Sequence, residues 1–594
     1  MYEYRQTGMK QYKPKSFIFS RIEYKHPNND NYGRPIHELI GFDSETYITG
    51  RPFLFCTSTG DCFKLSAIPN IFFTRKYRDC HFGVYNLKFD SGSILYNVPT
   101  KILNRIRQRG EAIHDGIKYR YIPHKYLRIT KNGHGVTFWN VAQYFRCSLE
   151  TAATKYLGKH KAELKTKSFT PANVKPIYDK IKSYCIQDAK LTAELYTYFK
   201  LGIEKIGFTP SALYSTASLS YQYFRLNSTI CDVWEIWKHR KTLLMLACEA
   251  YAGGKFEIYK RGTSEMYEYD ISSAYPYEIS KLKSLDDAKL IFKPIYIPEA
   301  DYGFLRVYID NTALKMLPVA IKQKQLNIYP VGTYYATITK SMYEYMLSIN
   351  IPIKIIAGFW VICKTKPLPY YDAINRLYEL KEMAKGKDER QYRLCKILAN
   401  GFYGKMAQLI PLHTGIIKAG NCWNPIHAAT ITANTRIKVC DISNRYPKNI
   451  LAVHTDSVIL NRPLPKKELG TGLGTYGFEI KGPGVLVSCG IYQIGDKTAF
   501  RGFRVPPDKS LKHYLELMQN KSTIKIPQLS VLSWVECAAR NKRHLTNRFI
   551  TEDKIFDVNR ETKRIWNSKT TANKLLTTLE NSAPPLLDNP PPVQ

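Results

Sequence analysis

The run Gly41-Phe42-Asp43-Ser44-Glu45-Thr46 sets two carboxylates at i and i+2 behind an apolar lead-in. On a strand, that spacing aims both side chains at one face. Two like charges held side by side are costly unless a cation neutralises them, and carboxylate oxygens suit hard cations such as Mg2+. A D-x-E on its own is more often surface charge. Two further segments change the reading. Tyr85-Asn86-Leu87-Lys88-Phe89-Asp90 brings an Asp to the end of an apolar-lined segment. Tyr184-Cys185-Ile186-Gln187-Asp188 places Tyr184 and Asp188 at i and i+4, on one face of a helix expected from Val174 to Tyr198. Short β-type runs alternate with polar segments ahead of that helix, so residues 37–205 read as α/β.

Farther along lies a second acidic pair. Tyr269-Asp270-Ile271-Ser272-Ser273-Ala274-Tyr275-Pro276 is a strand running into a proline turn, and Val453-His454-Thr455-Asp456-Ser457-Val458 is β-rich with an Asp in its middle. Singly, each Asp is an ordinary turn residue. Between them a helical hairpin is expected: Tyr371 to Ala384, a Lys385-Gly386-Lys387-Asp388 turn, then Glu389 to Tyr403. On its second arm Arg393, Lys396, Asn400 and Tyr403 share one stripe. Charge for phosphates and a flat ring for a base suit a nucleoside triphosphate; a solvated basic face is the plainer alternative. A further helix is expected from Pro425 to about Ile442.

Asp43, Glu45, Asp90 and Asp188, with Tyr184, resemble the three motifs of the DEDD-type 3′–5′ exonucleases. Asp270 to Pro276, Lys396 to Gly404 and His454 to Ser457 resemble motifs A, B and C of the family B DNA polymerases. The resemblance covers residues 40–505. It implies an α/β multidomain fold: an RNase H-like exonuclease domain followed by a right-hand polymerase of palm, fingers and thumb. Tyr251-Ala252-Gly253-Gly254 resembles the Y-x-G-G element linking the two active sites in the protein-primed branch, the small polymerases of phages and linear plasmids. The implied function is DNA-directed DNA polymerisation with proofreading by two-metal phosphoryl transfer, with a terminal protein left open as primer.

The same resemblance implies residue roles. In the exonuclease, Asp43, Glu45, Asp90 and Asp188 hold two Mg2+ and Tyr184 orients the attacking water. Asn86 and Phe89 contact the single-stranded 3′ end, and Ser148-Leu149 resembles a further strand-binding element. The family's lysine between the second and third motifs falls to Lys159, Lys161 or Lys165. In the polymerase, Asp270 and Asp456 bridge two Mg2+, for which Mn2+ substitutes, with the Ile271 carbonyl as a further ligand. Lys396, helped by Arg393 or Lys385, neutralises the triphosphate; Tyr275 is the steric gate against a ribose 2′-OH. Asn400 and Tyr403 form the floor under the nascent base pair, and Tyr251, Gly253, Gly254 and Tyr492 lie on DNA.

The chain departs from the family pattern in four places. His454 replaces the first Asp of motif C; the retained Asp456 matches the essential ligand, so activity is expected to survive, with the imidazole, neutral or partly charged, altering metal preference or pH dependence. Gly401 stands where motif B usually has Ser, an exchange expected to be tolerated. Gly490-Ile491-Tyr492 lacks the lysine of the K-x-Y element, leaving Lys481, Lys497 or Arg501 to supply that charge. Lys405 to Asn424 is short for the insertion that encircles the template in phage enzymes, whereas Pro276 to Cys395 has room for the one that contacts a terminal protein. The expected divisions are an N-terminal extension (1–36), the exonuclease domain (37–205), linker and palm with motif A (206–285), palm with a terminal-protein-region-like insertion (286–365), fingers (366–404), palm with motif C (405–504), and thumb with C-terminal tail (505–594).

Composition narrows the field further. At 594 residues the chain is too long for one core, and 44% hydrophobic with 13% aromatic residues exclude wholesale disorder. A surplus of 87 Lys+Arg over 50 Asp+Glu, net +37, asks for a polyanionic partner, nucleic acid first and an acidic membrane surface second; the family resemblance implies primer-template DNA and dNTPs. No apolar run reaches the ~18 residues of a membrane span, and the N-terminus lacks a secretory apolar core. The 13 cysteines form no C-x-x-C pair, which speaks against a disulfide framework or structural zinc, and for idle thiols in an intracellular, reducing compartment, the cytoplasm of a host cell for a virus- or plasmid-encoded chain. Two other readings compete: an exonuclease with a decayed polymerase half, and a non-catalytic DNA-binding replication factor. A pure binder has no use for buried like-charge clusters.

Overall fold

The computed structural model describes residues 19–25, 34–164, 168–364, 368–506 and 508–590; most of the 1–36 extension, Lys165 and the last four residues lie outside them. A two-residue strand, β1 (Ile22–Glu23), precedes the first sheet. That sheet takes β2 (Ile40–Thr46), β3 (Pro52–Thr57), β4 (Cys62–Phe63), β5 (His81–Val84), β6 (Glu111–His114), β7 (Ile117–Ile122), β8 (Tyr126–Lys131) and β9 (His134–Asn140) in the order β4-β3-β2-β5-β9-β8-β7-β6. Its core is aromatic, with Phe42, Phe55, Phe72, Phe82 and Phe138 buried together. Its longer helices are α1 (Leu87–Ile94), α2 (Thr100–Arg109), α3 (Leu149–Leu157) and α4 (Tyr178–Ile206). The helix expected from Val174 to Tyr198 is preceded by one α-turn at Pro171–Val174 and a 3-10 turn at Lys175–Ile177, where Pro176 breaks the regular hydrogen bonding, and it runs on to Ile206. Glycine at position 41 lets α4 lie directly on β2: a Cβ there would stand 1.8 Å from the Ala189 carbonyl oxygen. This close approach sets Asp188 above the β2 carboxylates.

Helices α5 (Thr216–Asn227) and α6 (Lys241–Ala250) lead to β10 (Lys255–Ile258), β11 (Lys260–Ile271) and α7 (Ala274–Ser280). A separate sheet follows from β12 (Lys289–Phe292), β13 (Tyr302–Asn311), β14 (Val331–Thr339) and β15 (Ile353–Ile362), in the region long enough for an insertion. The hairpin forms as its sequence dictates: α8 (Tyr371–Ala384) and α9 (Glu389–Met406), with the Asp388 side chain capping α9 through the Gln391 N–H at 3.0 Å. The shortened segment holds only a small hairpin, β16 (Leu409–Pro411) and β17 (Ile417–Ala419), and β1 pairs in parallel with β17. Asn424 caps α10 (Pro425–Arg445), whose Val439 and Ile442 pack on the central sheet.

That central sheet is completed by β18 (Ile450–Thr455), β19 (Ser457–Leu460), β20 (Tyr476–Ser488), β21 (Ile491–Ile494) and β22 (Lys497–Phe500), in the order β10-β18-β19-β11-β20-β21-β22. Beyond it a long ribbon, β23 (Thr523–Val531) with β24 (Phe549–Asp557), reaches back to the first unit. Its far end carries α11 (Trp534–Ala539), and there Trp534 enters the core beneath α1 and donates from Nε1 to Ser91 Oγ at 3.1 Å. Asn547 Nδ2 donates to Ser93 Oγ at 3.0 Å, and Lys88 pairs with Glu536 at 3.1 Å. The chain closes with β25 (Leu579–Ala583), paired to β11, and β26 (Leu586–Asp588), paired to β14.

Candidate active sites

The first site lies between β2, α1 and α4. Asp43 and Glu45 alternate onto the same strand face, as their spacing requires. Asp90 is buried in the first turn of α1 and accepts a hydrogen bond from Ser44 Oγ at 2.8 Å. Asp188, 3% exposed, meets Lys161 Nζ at 2.5 Å, while its Oδ1 has no hydrogen-bond partner. Lys161 Nζ also stands 4.5 Å from the Tyr184 ring centre. Of the candidate lysines, then, Lys161 reaches the carboxylates, whereas Lys159 pairs with Glu194 at 2.7 Å. Burial, then Glu45, Asp90 and Asp188, hold the Asp43 carboxyl well above its ordinary range. Burial and Asp188 push Glu45 up to about 8, and burial pushes Asp90 up to about 7 against the Ser44 hydrogen bond. Burial raises Asp188 as well, with Lys161 opposing. Crowded oxygen donors, one of them orphaned, fit a divalent cation that would reverse these shifts.

The second site is at the end of β11. Asp270 pairs in register with Ser457, and the Ile271 N–H donates to the Asp456 carbonyl at 2.9 Å. His454 pairs with Ser457, so Thr455-Asp456 form a two-residue turn. Thr455 has φ 66°, a left-handed conformation rare for a β-branched residue. A Cβ at Gly254 would stand 2.5 Å from Thr455 Cγ2 and 3.0 Å from its Cα, so the second glycine of Tyr-Ala-Gly-Gly is a packing requirement of this turn. Buried Arg436 fixes the same loop, donating to the Ala252 and Gly253 carbonyls at 2.5 and 2.9 Å. Burial, then Asp456 and Glu479, push Asp270 up to about 7, with Lys396 drawing it down. Asp456 is raised by burial, again against Lys396. Tyr275 and Tyr403 face each other with ring centres 4.3 Å apart. Oxygen donors under mutual repulsion again fit a divalent cation.

Several sequence expectations need correction. Arg393 does not face the carboxylates: its guanidinium donates to the Phe145 carbonyl at 2.8 Å and to the Tyr156 hydroxyl, tying α9 to the first unit. Lys385 is exposed in the hairpin turn. Besides Lys396, a cation that reaches motif A is Lys381, one turn earlier on α8, with Nζ 3.2 Å from Ser273 Oγ. Leu149 is a core residue, and Ser148 caps α3 through the Thr151 N–H at 3.1 Å. Tyr492 is buried and donates to Glu268 at 3.3 Å; Lys497, a candidate for the missing K-x-Y charge, pairs with Glu268 at 2.6 Å. His454 lies between Phe256 and Tyr492, ring centres 4.7 and 4.9 Å away, with neither ring nitrogen hydrogen-bonded. Burial, then Lys497, Lys563 and Arg501, push it down to about 3, so it is neutral and the partly charged alternative falls. Gly401 is more than tolerated, since a Cβ there would meet Ser220 Cβ at 2.9 Å where α9 crosses α5. Asn86 is exposed at the start of α1 with Phe89 half-buried beside it, and Asn400 is half-buried on α9, its side chain donating to the Lys396 carbonyl at 3.0 Å. Glu479, Arg436 and Lys381 escaped the sequence reading because only folding brings their segments to the motifs.

A sheet-and-helix unit with an acidic cleft, joined to a central sheet crossed by a helical hairpin, is the architecture of a right-hand polymerase carrying an exonuclease-type domain. The family model for DNA polymerase type B, organellar and viral, matches residues 117–447, and the chain belongs to that family. The match takes in Tyr184, Asp188, Asp270 and Lys396 and ends short of Asp456. The fold is similar to that of the phage phi29 DNA polymerase in its ternary complex with primer-template DNA and incoming nucleotide, with a TM-score of 0.62 and 14% identity over 88% of this chain and 99% of that one. The orthorhombic form of the same enzyme gives a TM-score of 0.60 at 14% identity, covering 88% of this chain and 100% of that one. Its binary complex with primer-template DNA gives 0.60 at 15% identity over the same shares. No curated protein matches the chain. Family B DNA polymerases use divalent metal ions. Among the described residues no helix is long and apolar enough to cross a membrane.

Proposed function

We propose that this family B polymerase replicates DNA with 3′–5′ proofreading, the two chemistries residing in the two acidic sites, and that a protein hydroxyl can serve as its primer. The reading is carried by one observation: two separate clusters of buried or half-buried carboxylates in one chain, each facing a lysine. Asp270, Asp456 and the Ile271 carbonyl would hold the polymerase cations, and Asp43, Glu45, Asp90 and Asp188 those of the exonuclease. Bound there, divalent cations supply an activated nucleophile and charge stabilisation for the leaving oxygen. Lys396 and Lys381 attract the triphosphate, and Tyr275, packed at a tilt against Tyr403, closes the space a 2′-OH would need. Lys161 balances Asp188 and orients Tyr184 toward the attacking water. Exposed Asn86 and half-buried Phe89, at the mouth of α1, receive the frayed 3′ end. The proposed divisions follow: exonuclease 37–205, palm interrupted by the 286–365 sheet, fingers 366–404, thumb from 505.

The test is a separation of activities. Asp270→Ala or Asp456→Ala abolishes nucleotide incorporation and leaves degradation of a single strand intact; Asp43→Ala with Glu45→Ala does the reverse. If each pair of variants kept both activities, the assignments would fall. A labelled dNTP that becomes covalently attached to a candidate terminal protein on an unprimed template supports protein priming; incorporation only from a nucleic-acid 3′ end removes it.

A further inference from the structure

One of the cysteines read as idle sits in the exonuclease site. Cys185, on α4 between Tyr184 and Asp188, is fully buried. Its Sγ and carboxylate oxygens of Asp43 and Glu45 all lie within 4.8 Å of one another, the one such group of possible metal donors found among the described residues. Donors at that mutual separation stand at most about 2.8 Å from a common centre, against the ~2.0–2.3 Å of Zn–O and Zn–S bonds, so small side-chain adjustments close the group on an ion. A second observation points the same way: buried Asp188, one turn from Cys185, pairs with Lys161 through Oδ2 alone, so its Oδ1 has no hydrogen-bond partner, and its charge acts on Glu45. Behind the group, Cys56 is the register partner of Asp43, and its Sγ is 2.9 Å from Cys62 Sγ.

We propose that Asp43, Glu45 and Cys185 form a mixed oxygen and sulfur site that takes a thiophilic divalent cation of the zinc class. Mg2+ is a hard ion with no use for a thiol; a softer ion gains from the thiolate what oxygen alone does not give. On binding, the Cys185 S–H bond breaks, the proton passes to solvent, and the sulfur lone pair forms the metal bond, so two carboxylates and one thiolate face the ion. The polymerase site offers Asp270, Asp456 and a backbone carbonyl, all oxygen. A zinc-class ion therefore seats first in the exonuclease site, holds Asp43 and Glu45 away from Mg2+, and arrests strand removal while incorporation continues. Only this consequence rests on the exonuclease reading; the binding itself does not.

Cadmium ion is the probe, because its bond to a thiolate absorbs in the ultraviolet. Full-length protein in excess Mg2+ is titrated with Cd2+, and difference spectra are compared for the wild type, C185S, D43N/E45Q and C62S, each checked for fold by circular dichroism. The expected result is a one-equivalent charge-transfer band that is lost in C185S, needs at least about tenfold more Cd2+ in D43N/E45Q, and persists in C62S. A band that survives C185S, or that D43N/E45Q leaves unmoved while C62S abolishes it, places the ion on the Cys56–Cys62 pair and overturns the proposal. Should C185S fail to fold, the D43N/E45Q shift decides alone. Mg2+-dependent degradation of a single strand is measured in parallel on the wild type. Its absence sinks the exonuclease reading and leaves the binding result standing, whereas degradation without the band sinks this inference alone.

Discussion

Gly254→Ala tests how tightly the polymerase site is framed. The added methyl would sit 2.5 Å from Thr455 Cγ2 and 3.0 Å from Thr455 Cα, inside ordinary contact distance for both. Thr455 cannot swing aside freely, because its backbone is held left-handed between His454, paired with Ser457, and Asp456, whose carbonyl accepts from the Ile271 N–H. Relief therefore moves the whole turn by roughly 0.5–1 Å and carries Asp456 with it, at an overpacking cost of about 1–3 kcal/mol. A displacement of that size at a reacting centre costs about 100-fold in rate. Single-nucleotide incorporation should fall by that factor, while single-strand degradation in the same preparation stays within about threefold of wild type, since β2 and α4 do not touch the turn. Incorporation within about threefold of wild type, in a variant of unchanged fold, would refute the reasoning. So would parallel loss of both activities.

Two further outcomes follow from the sites. Tyr275→Ala should admit ribonucleotides, because the ring packed against Tyr403 is removed; unchanged sugar discrimination would take away the gate. Without divalent cations, Asp90 and Asp270 sit at about 7 and Glu45 at about 8 in the folded chain, above their ordinary values. Raised folded values favour the native state while the groups are protonated, and that contribution is lost as pH rises through 7 to 8. The cation-free melting temperature should thus fall from pH 5 to pH 8, with Mg2+ raising it most at pH 8; an equal Mg2+ effect at both ends would contradict it.

What was legible in the sequence was local or carried by motif. The α8–α9 hairpin could be bounded because Lys385 to Asp388 break one helix and cap the next within a single turn of chain. The six carboxylates stood in order, and the β2 pair could be placed by the strand period alone. Arg393 shows where such reasoning ends. Helical spacing put it on a stripe with Lys396, but the direction a stripe faces depends on a neighbour, here Phe145 and Tyr156 of the first unit. Lys381, Arg436 and Glu479 were invisible for the same reason. His454 could be noticed as a departure, yet its neutrality follows from Phe256 and Tyr492, on two other strands. Cys185 read as idle because a thiol three residues before a ligand has no spacing signature.

Trp534 has a consequence for how this chain can be divided. Its indole belongs to the same buried cluster as Phe42, Phe82 and Phe138, although it is separated from its hydrogen-bond partner Ser91 by 443 positions. A fragment ending near residue 205 would carry an indole-sized hole under the helix that bears Asp90, and would bare Ser91 and Ser93 together. The first unit therefore draws part of its core from a segment more than three hundred residues beyond its own last helix, and a fragment without that segment should melt below the intact chain.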